Sequence, residues 1–116
     1  MKKIEAVIQP YKVIDVKEAL AAIGVTALTM SEVREADCHG RHTETYRGQQ
    51  YTVDFTPRVK LEVMVSDSRA GRVIRVVSMA AKTGRDDSGT IAVSSLEDTV
   101  TIESGQHSAD RELAER

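Results

Sequence analysis

The sequence has no tryptophan, one phenylalanine and three tyrosines in 116 residues. A core can therefore be built only from Val, Ile, Leu, Ala and Met. The single cysteine, Cys38, excludes an internal disulfide. No apolar run approaches the ~20 residues that a membrane-spanning helix needs. There is no excess of positive charge: 16 Lys and Arg face 18 Asp and Glu, a net charge of -2. That argues against a general nucleic-acid binder, which needs a basic face, and leaves small anionic ligands open. The opening MKKIEAVIQP alternates polar and apolar residues and lacks the apolar stretch of a signal peptide. A cytoplasmic protein is expected. The length fits one domain, with one core and little room for a large buried cleft.

What the chain does have is periodicity. Residues 3–8, rich in β-branched side chains, predict a strand that Pro10 ends. Val13, Val16, Leu20 and Ile23 share a helical face over residues 13–23, and Gly24 stands where a helix closes. Residues 27–33 predict a second strand. Val59, Leu61, Val63 and Val65 alternate through a third, residues 59–65. Ser66, Asp67 and Ser68 are candidate N-caps for a helix over 70–81, which Gly84 follows. Residues 85–89 read as a turn, 90–94 as a fourth strand and 99–103 as a short fifth. Residues 104–116 are polar and predict a tail.

Three of the four aromatics, Tyr46, Tyr51 and Phe55, fall in one polar stretch, residues 42–60. Residues 34–57 predict a long loop between strands two and three. Such loops are uncommon in small domains unless they are functional or disordered. Either a partner-docking arm or a mobile insertion without a role fits.

The chain also repeats. Lys3-Ile4-Glu5-Ala6-Val7 aligns with Lys60-Leu61-Glu62-Val63-Met64, each followed by a helix, a glycine and a strand. Two βαβ units in this order predict an α+β, ferredoxin-like sandwich with both helices on one face of an antiparallel sheet. Ala6, Ile8, Leu61 and Val63 look too many for two helices to cover. Strands one and three carry apolar residues at both phases. A second apolar face is expected, covered by self-association into a symmetric oligomer.

At this point the residues become specific. MKKIEAVIQPYK, VKEALAAIGV and HTETYRGQQYTVDFTPRVKLEVMV together resemble the PII signal-transduction family, over residues 1–103. The match is densest in the loop, similar to the family's T-loop (about residues 37–55), with Tyr46, Arg47, Gly48, Tyr51, Val53, Asp54, Phe55, Pro57, Val59 and Lys60 in order. The resemblance implies a ferredoxin-like homotrimer with adenine nucleotides bound between subunits and no catalysis of its own. It also implies signalling through the T-loop to a membrane transporter, a metabolic enzyme or a transcription regulator. Val7, Thr29, Glu62, Met64 and Thr83 match or conservatively replace positions that contact adenine and ribose. Arg47 fits the arginine inserted into partners, five fixed donors making it a good plug. Tyr51 matches a tyrosine that some relatives have nucleotidylylated, or it contacts partners.

Departures fall at the phosphate end. Where the family reads Phe-Gly-Arg-Gln-Lys-Gly-His, this chain has Ala36, Asp37, Cys38, His39, Gly40, Arg41 and His42. Thr-Gly-Lys-x-Gly-Asp-Gly-Lys becomes Thr83, Gly84, Arg85, Asp86, Asp87, Ser88, Gly89 and Thr90. Two strand arginines become Thr101 and Glu103. The lysine that pairs with 2-oxoglutarate becomes Arg58. Four cations are thus replaced by Cys38, Thr90, Thr101 and Glu103, and Asp37 and Asp87 add negative charge. A charge-assisted contact contributes about 1.5–3 kcal/mol, and the triphosphate loses most.

The expected ligand is therefore ADP or AMP, with ATP weaker. Arg41 and Arg58 are candidates to hold a small anion such as bicarbonate, as in PII-like proteins associated with inorganic-carbon uptake. One alternative is a nitrogen-regulatory PII responding to ATP and 2-oxoglutarate. Another is a metal-responsive module in which Cys38, His39 and His42 supply soft sulfur and imidazole ligands, although their spacing matches no zinc signature.

Overall fold

The computed structural model describes residues 1–36, 42–46, 49–53 and 55–108, with side chains for 1–36 and 55–108. Strand β1 (Lys2–Ile8) leads through a 3-10 turn (Pro10–Lys12) into helix α1 (Val13–Ala22). Strand β2 (Thr29–Ala36), a hairpin of β3 (His42–Tyr46) and β4 (Gln49–Val53), and the long β5 (Phe55–Val65) follow. Helix α2 (Asp67–Ala81) and strand β6 (Gly89–Ser95) complete the order.

The main sheet runs β2-β5-β1-β6, with every neighbouring pair antiparallel. Each βαβ unit is split by a strand of the other, the expected ferredoxin-like arrangement. Helix α1 closes as Gly24 predicted. Gly24 has φ +89°, its N–H donates to Ala21 O, and Val25 N–H reaches back to Leu20 O. These two bonds satisfy carbonyls that the helix end would leave bare. At α2 the N-cap is Ser66, without a side-chain cap bond. Asp67 instead receives the N-terminal ammonium of Met1 at 2.9 Å.

Register explains the core. Ile4 lies opposite Val63, Ala6 opposite Leu61, and Ile8 opposite Val59. These residues share one face, and α1 (Val16, Leu20) and α2 (Val73, Val77) cover it. Ala6, Ile8, Leu61 and Val63 are 1–4% exposed, so two helices suffice to cover them, contrary to the expectation from patterning. The residues between them, Lys3, Glu5, Val7, Lys60, Glu62 and Met64, point to the other face. That face is mixed rather than apolar. It carries ion pairs from Lys3 to Glu5 (2.8 Å) and Lys60 to Glu62 (3.9 Å), with Val7 and Met64 as its apolar members on β1 and β5.

Two further expectations change. Residues 34–57 do not form one long loop. Strand β2 extends to Ala36, β5 begins at Phe55, and between them β3 and β4 pair from His42–Val53 to Tyr46–Gln49. The Thr and Tyr residues of this polar stretch favour strands. Residues 99–103 are not a strand either. Thr101 N–H donates to Gln106 O and Gly105 N–H to Thr101 O, and one isolated bridge joins Val100 to His107. The polar segment from Ser104 folds back at least as far as Ser108, which is buried. Among the described residues no helix is long and apolar enough to cross a membrane.

Candidate nucleotide site and the hairpin root

The turn between α2 and β6 is closed by its own side chains. Thr83 Oγ1 donates to Asp87 Oδ1 at 2.7 Å, and Thr83 N–H donates to Ser88 Oγ at 3.0 Å. Arg85 N–H donates to Thr83 Oγ1 at 3.2 Å, and Ser88 Oγ–H donates to Arg85 O at 3.2 Å. Small hydroxyl and carboxylate side chains form such local loops readily because they reach nearby backbone. Asp87 has no cationic partner among the described residues, so its charge stays in the turn. Gly89 then starts β6 so close to β1 that a Cβ would lie 1.9 Å from Val7 O.

A second set of contacts ties this turn to the root of the hairpin. Gln9, 8% exposed, donates from Nε2 to Asp87 O at 2.9 Å. Its Oε1 accepts from Arg58 Nη1 at 3.0 Å. Arg58 Nη1 also donates to Pro57 O at 3.1 Å. Arg58 Nε lies 3.0 Å from Glu35 Oε1, but its buried N–H finds no aligned acceptor. The contact is thus an ion pair by distance without a well-directed hydrogen bond.

The structure brings Val7, Thr83, Gly84, Arg85, Asp87, Ser88, Gly89 and Thr90 to one end of the sheet, Val7 lying opposite Thr90. Thr29 and Glu62 are opposite one another, one row, roughly 6.7 Å, along the strands from Val7, and Thr29 on β2 lies across the sheet from Thr90 on β6, three strands or roughly 14 Å away. With Met64, Val65 and Arg69, Thr29 and Glu62 line a cleft of about 310 Å³ beside residues 24–28. Thr101 and Glu103 sit on the loop beyond the far end of β6, about 20 Å from the turn along the strand. Within one subunit they do not join the others. Asp37, Cys38, His39, Arg41 and Arg47 lie outside the described residues. His42 and Tyr51 are placed by backbone alone, on β3 and β4. Among the described residues no three His, Cys, Asp or Glu side chains cluster as metal ligands.

Sequence reasoning missed Gln9 and Glu35. The signal was the register. Pairing Ile8 with Val59 sets the next residue, Gln9, beside Arg58. It also missed Asp98, whose Oδ2 lies 2.6 Å from His107 Nδ1 and whose Oδ1 accepts from Ser108 Oγ at 3.0 Å. The hydrogen bond from His107, then that from Ser108, lowers the Asp98 pKa below its ordinary value.

Comparison with known proteins settles the family. The family model "Nitrogen regulatory protein P-II" matches residues 1–106. The chain belongs to the PII family. It is 44% identical over 110 residues to the nitrogen regulatory protein P-II of Azospirillum brasilense, covering 95% of this chain and 98% of the relative. The figures are the same for that of Rhizobium meliloti. The Pasteurella multocida protein of the same name is 42% identical over the same length. PII proteins are regulators that bind adenine nucleotides, not enzymes, and the ferredoxin-like subunit seen here agrees with the family.

Proposed function

We propose that this PII chain is a cytoplasmic nitrogen-regulatory signal protein. As a homotrimer it reads adenine nucleotides between subunits and signals through the arm at residues 37–55 to a membrane transporter or metabolic enzyme. The shared name of its relatives supports nitrogen as the subject of regulation, in preference to inorganic carbon and bicarbonate. The turn Thr83–Gly89, with Val7 and Thr90 beside it, is the phosphate end of the site. Thr29, Glu62 and Met64 belong to the nucleoside end.

The observation that carries the nucleotide preference is Asp87. Its carboxylate sits inside the turn, held by the Thr83 hydroxyl at 2.7 Å, with no cation beside it among the described residues. A like-charge contact at 4 Å costs about 4 kcal/mol at an effective dielectric near 20, before screening. ADP or AMP therefore binds at least as tightly as ATP. Calorimetric titration with AMP, ADP and ATP, each with and without magnesium, tests this. A tenfold or greater preference for magnesium-ATP refutes the ordering, and no binding of any adenine nucleotide refutes the site.

A further inference from the structure

The outer face of α2 carries charge of one sign. Residues 68–85 hold Arg69, Arg72, Arg75, Lys82 and Arg85 and no Asp or Glu, which leaves 11 cations against 18 acids, a net charge of -7, in the rest of the chain. Arg69 is engaged, its Nη2 donating to Ile23 O at 3.0 Å. Arg72, Arg75 and Lys82 are exposed and form no ion pair among the described residues. On the neighbouring helix Asp15 pairs with Lys12 at 3.8 Å instead. Like charges three residues apart repel along a helix, and here the repulsion between Arg72 and Arg75 is left standing. Spacing says what shape fits. Arg72, Arg75, Met79 and Lys82 step by three, four and three residues, all four exposed, Met79 to 70%. That is the period of a seam along which one helix lies on another. Gly71 and Ser78, also exposed and seven residues apart, leave room beside the seam for a partner backbone. The opposite stripe of α2, Ala70, Val73, Val77 and Ala81, is buried against the sheet.

We propose that the outer face of α2 is a second docking surface, which takes an acidic helix of a partner protein. Arg72 and Arg75 are its carboxylate anchors, Met79 its apolar contact and Lys82 its end. None of these residues belongs to the arm or to the nucleotide site. An arginine can hold a carboxylate by two parallel N–H···O bonds, which gives direction as well as attraction. A partner with acids at the same three-four spacing relieves the repulsion within α2 as it binds. The charge also draws such a partner in before contact. A membrane fits this face less well, since one methionine is little apolar area for an interfacial helix. Nucleic acid fits less well too, because the remaining charge of the chain repels phosphate. A trimer that covers the opposite face of the sheet leaves this one accessible.

The probe is a fluorescein-labelled peptide of three Glu-Leu-Ala-Glu-Ala-Leu-Ala repeats, whose acids stand three and four residues apart. Fluorescence anisotropy follows its binding to the full chain at low salt, beside the same peptide with Gln for Glu. Wild type is compared with Arg72→Glu combined with Arg75→Glu. That reversal puts opposite charge three residues from Arg69, which favours the helix, and circular dichroism checks the fold. Lys17→Glu combined with Arg34→Glu changes the net charge equally at exposed positions off this face. The acidic peptide should bind wild type about tenfold tighter than its amide counterpart, and the Arg72, Arg75 reversal should remove that gain. The net-charge control should keep it, and added salt should weaken it. No binding of the acidic peptide, equal binding of both peptides, or an equal loss in the net-charge control overturns the proposal. So does tighter binding, through the same two arginines, of a duplex DNA oligomer or of phosphatidylcholine vesicles containing about 30% phosphatidylserine. Those outcomes assign the face to nucleic acid or to a membrane.

Discussion

Replacing Gly89 by alanine is expected to be among the costliest single-methyl additions to this fold. Gly89 has φ +112°, and an added Cβ would lie 1.9 Å from Val7 O and 3.0 Å from Val7 C. Two penalties follow. A side chain at such a positive φ costs about 1–3 kcal/mol. The overlap is with backbone, so no side chain can swing aside and β6 must draw away from β1. Gly89 pairs with Ile8, and Thr90 with Val7. Pulling a ladder hydrogen bond between β6 and β1 apart costs up to a further ~1–3 kcal/mol. The sum is about 2–6 kcal/mol. At roughly 4–8 °C per kcal/mol for a domain near this size, the melting temperature falls by about 8 °C or more. Gly71 is the control. It lies inside α2 with nothing within 4 Å of an added Cβ. Gly71→Ala should stabilise by about 0.5–1 kcal/mol through helix propensity. Both variants are melted at one protein concentration, because assembly shifts the midpoint. A Gly89→Ala protein melting within about 3 °C of wild type would refute the close-approach argument.

Three further outcomes are expected. Thr90→Lys at the turn, combined with Glu103→Arg, which can reach that turn only from a neighbouring subunit of the trimer, should raise ATP affinity more than AMP affinity; calorimetry showing equal gains would count against the charge argument. Asp98→Asn should speed amide exchange at Gly105 and Ser108. In wild type that protection holds above the ordinary aspartate value of 3.8 and fades as pH falls through the lower folded pKa, so exchange that is indifferent to both the substitution and acid contradicts it. Asp67, whose pKa is lowered first by its hydrogen bond from the N-terminal ammonium, should likewise lose its contribution only in acid, and acid-unfolding curves of Asp67→Asn should lack that component.

The parts of the fold legible in the sequence are those where one local pattern decides. The alternation of β5, the helical stripe Val16–Leu20 and the closing Gly24 are of this kind. The arm looks like a loop in sequence because its strands are polar. Thr43, Thr45, Tyr51 and Thr52 satisfy strand preference without the apolar alternation that marks a core-facing strand. The segment after β6 alternates yet stays a loop, since one bridge to His107 replaces a ladder. The site divides in the same way. Thr83, Asp87, Ser88 and Gly89 are adjacent in sequence and were legible together. Gln9, Glu35 and Arg58 meet only through strand register, which no local window contains.

The uncovered sheet face shows how register also sets the terms of assembly. Glu5 lies opposite Glu62, a pairing of like charges that is unfavourable alone. Each glutamate is relieved along its own strand, Glu5 by Lys3 at 2.8 Å and Glu62 by Lys60 at 3.9 Å. The hydrogen bond to Glu5 raises the Lys3 pKa, and that same bond lowers the Glu5 pKa. The signs define a window. The lowered Glu5 contributes above the ordinary value of 4.5 and is lost as pH falls through its folded value. The raised Lys3 contributes below 10.5 and is lost as pH rises through its own. Between those limits the Lys3–Glu5 pair holds. A trimer that covers this face thus meets compensated charges with Val7 and Met64 between them, rather than the continuous apolar surface that strand composition suggests. Charges that enter an interface already paired avoid the large penalty of burying one alone.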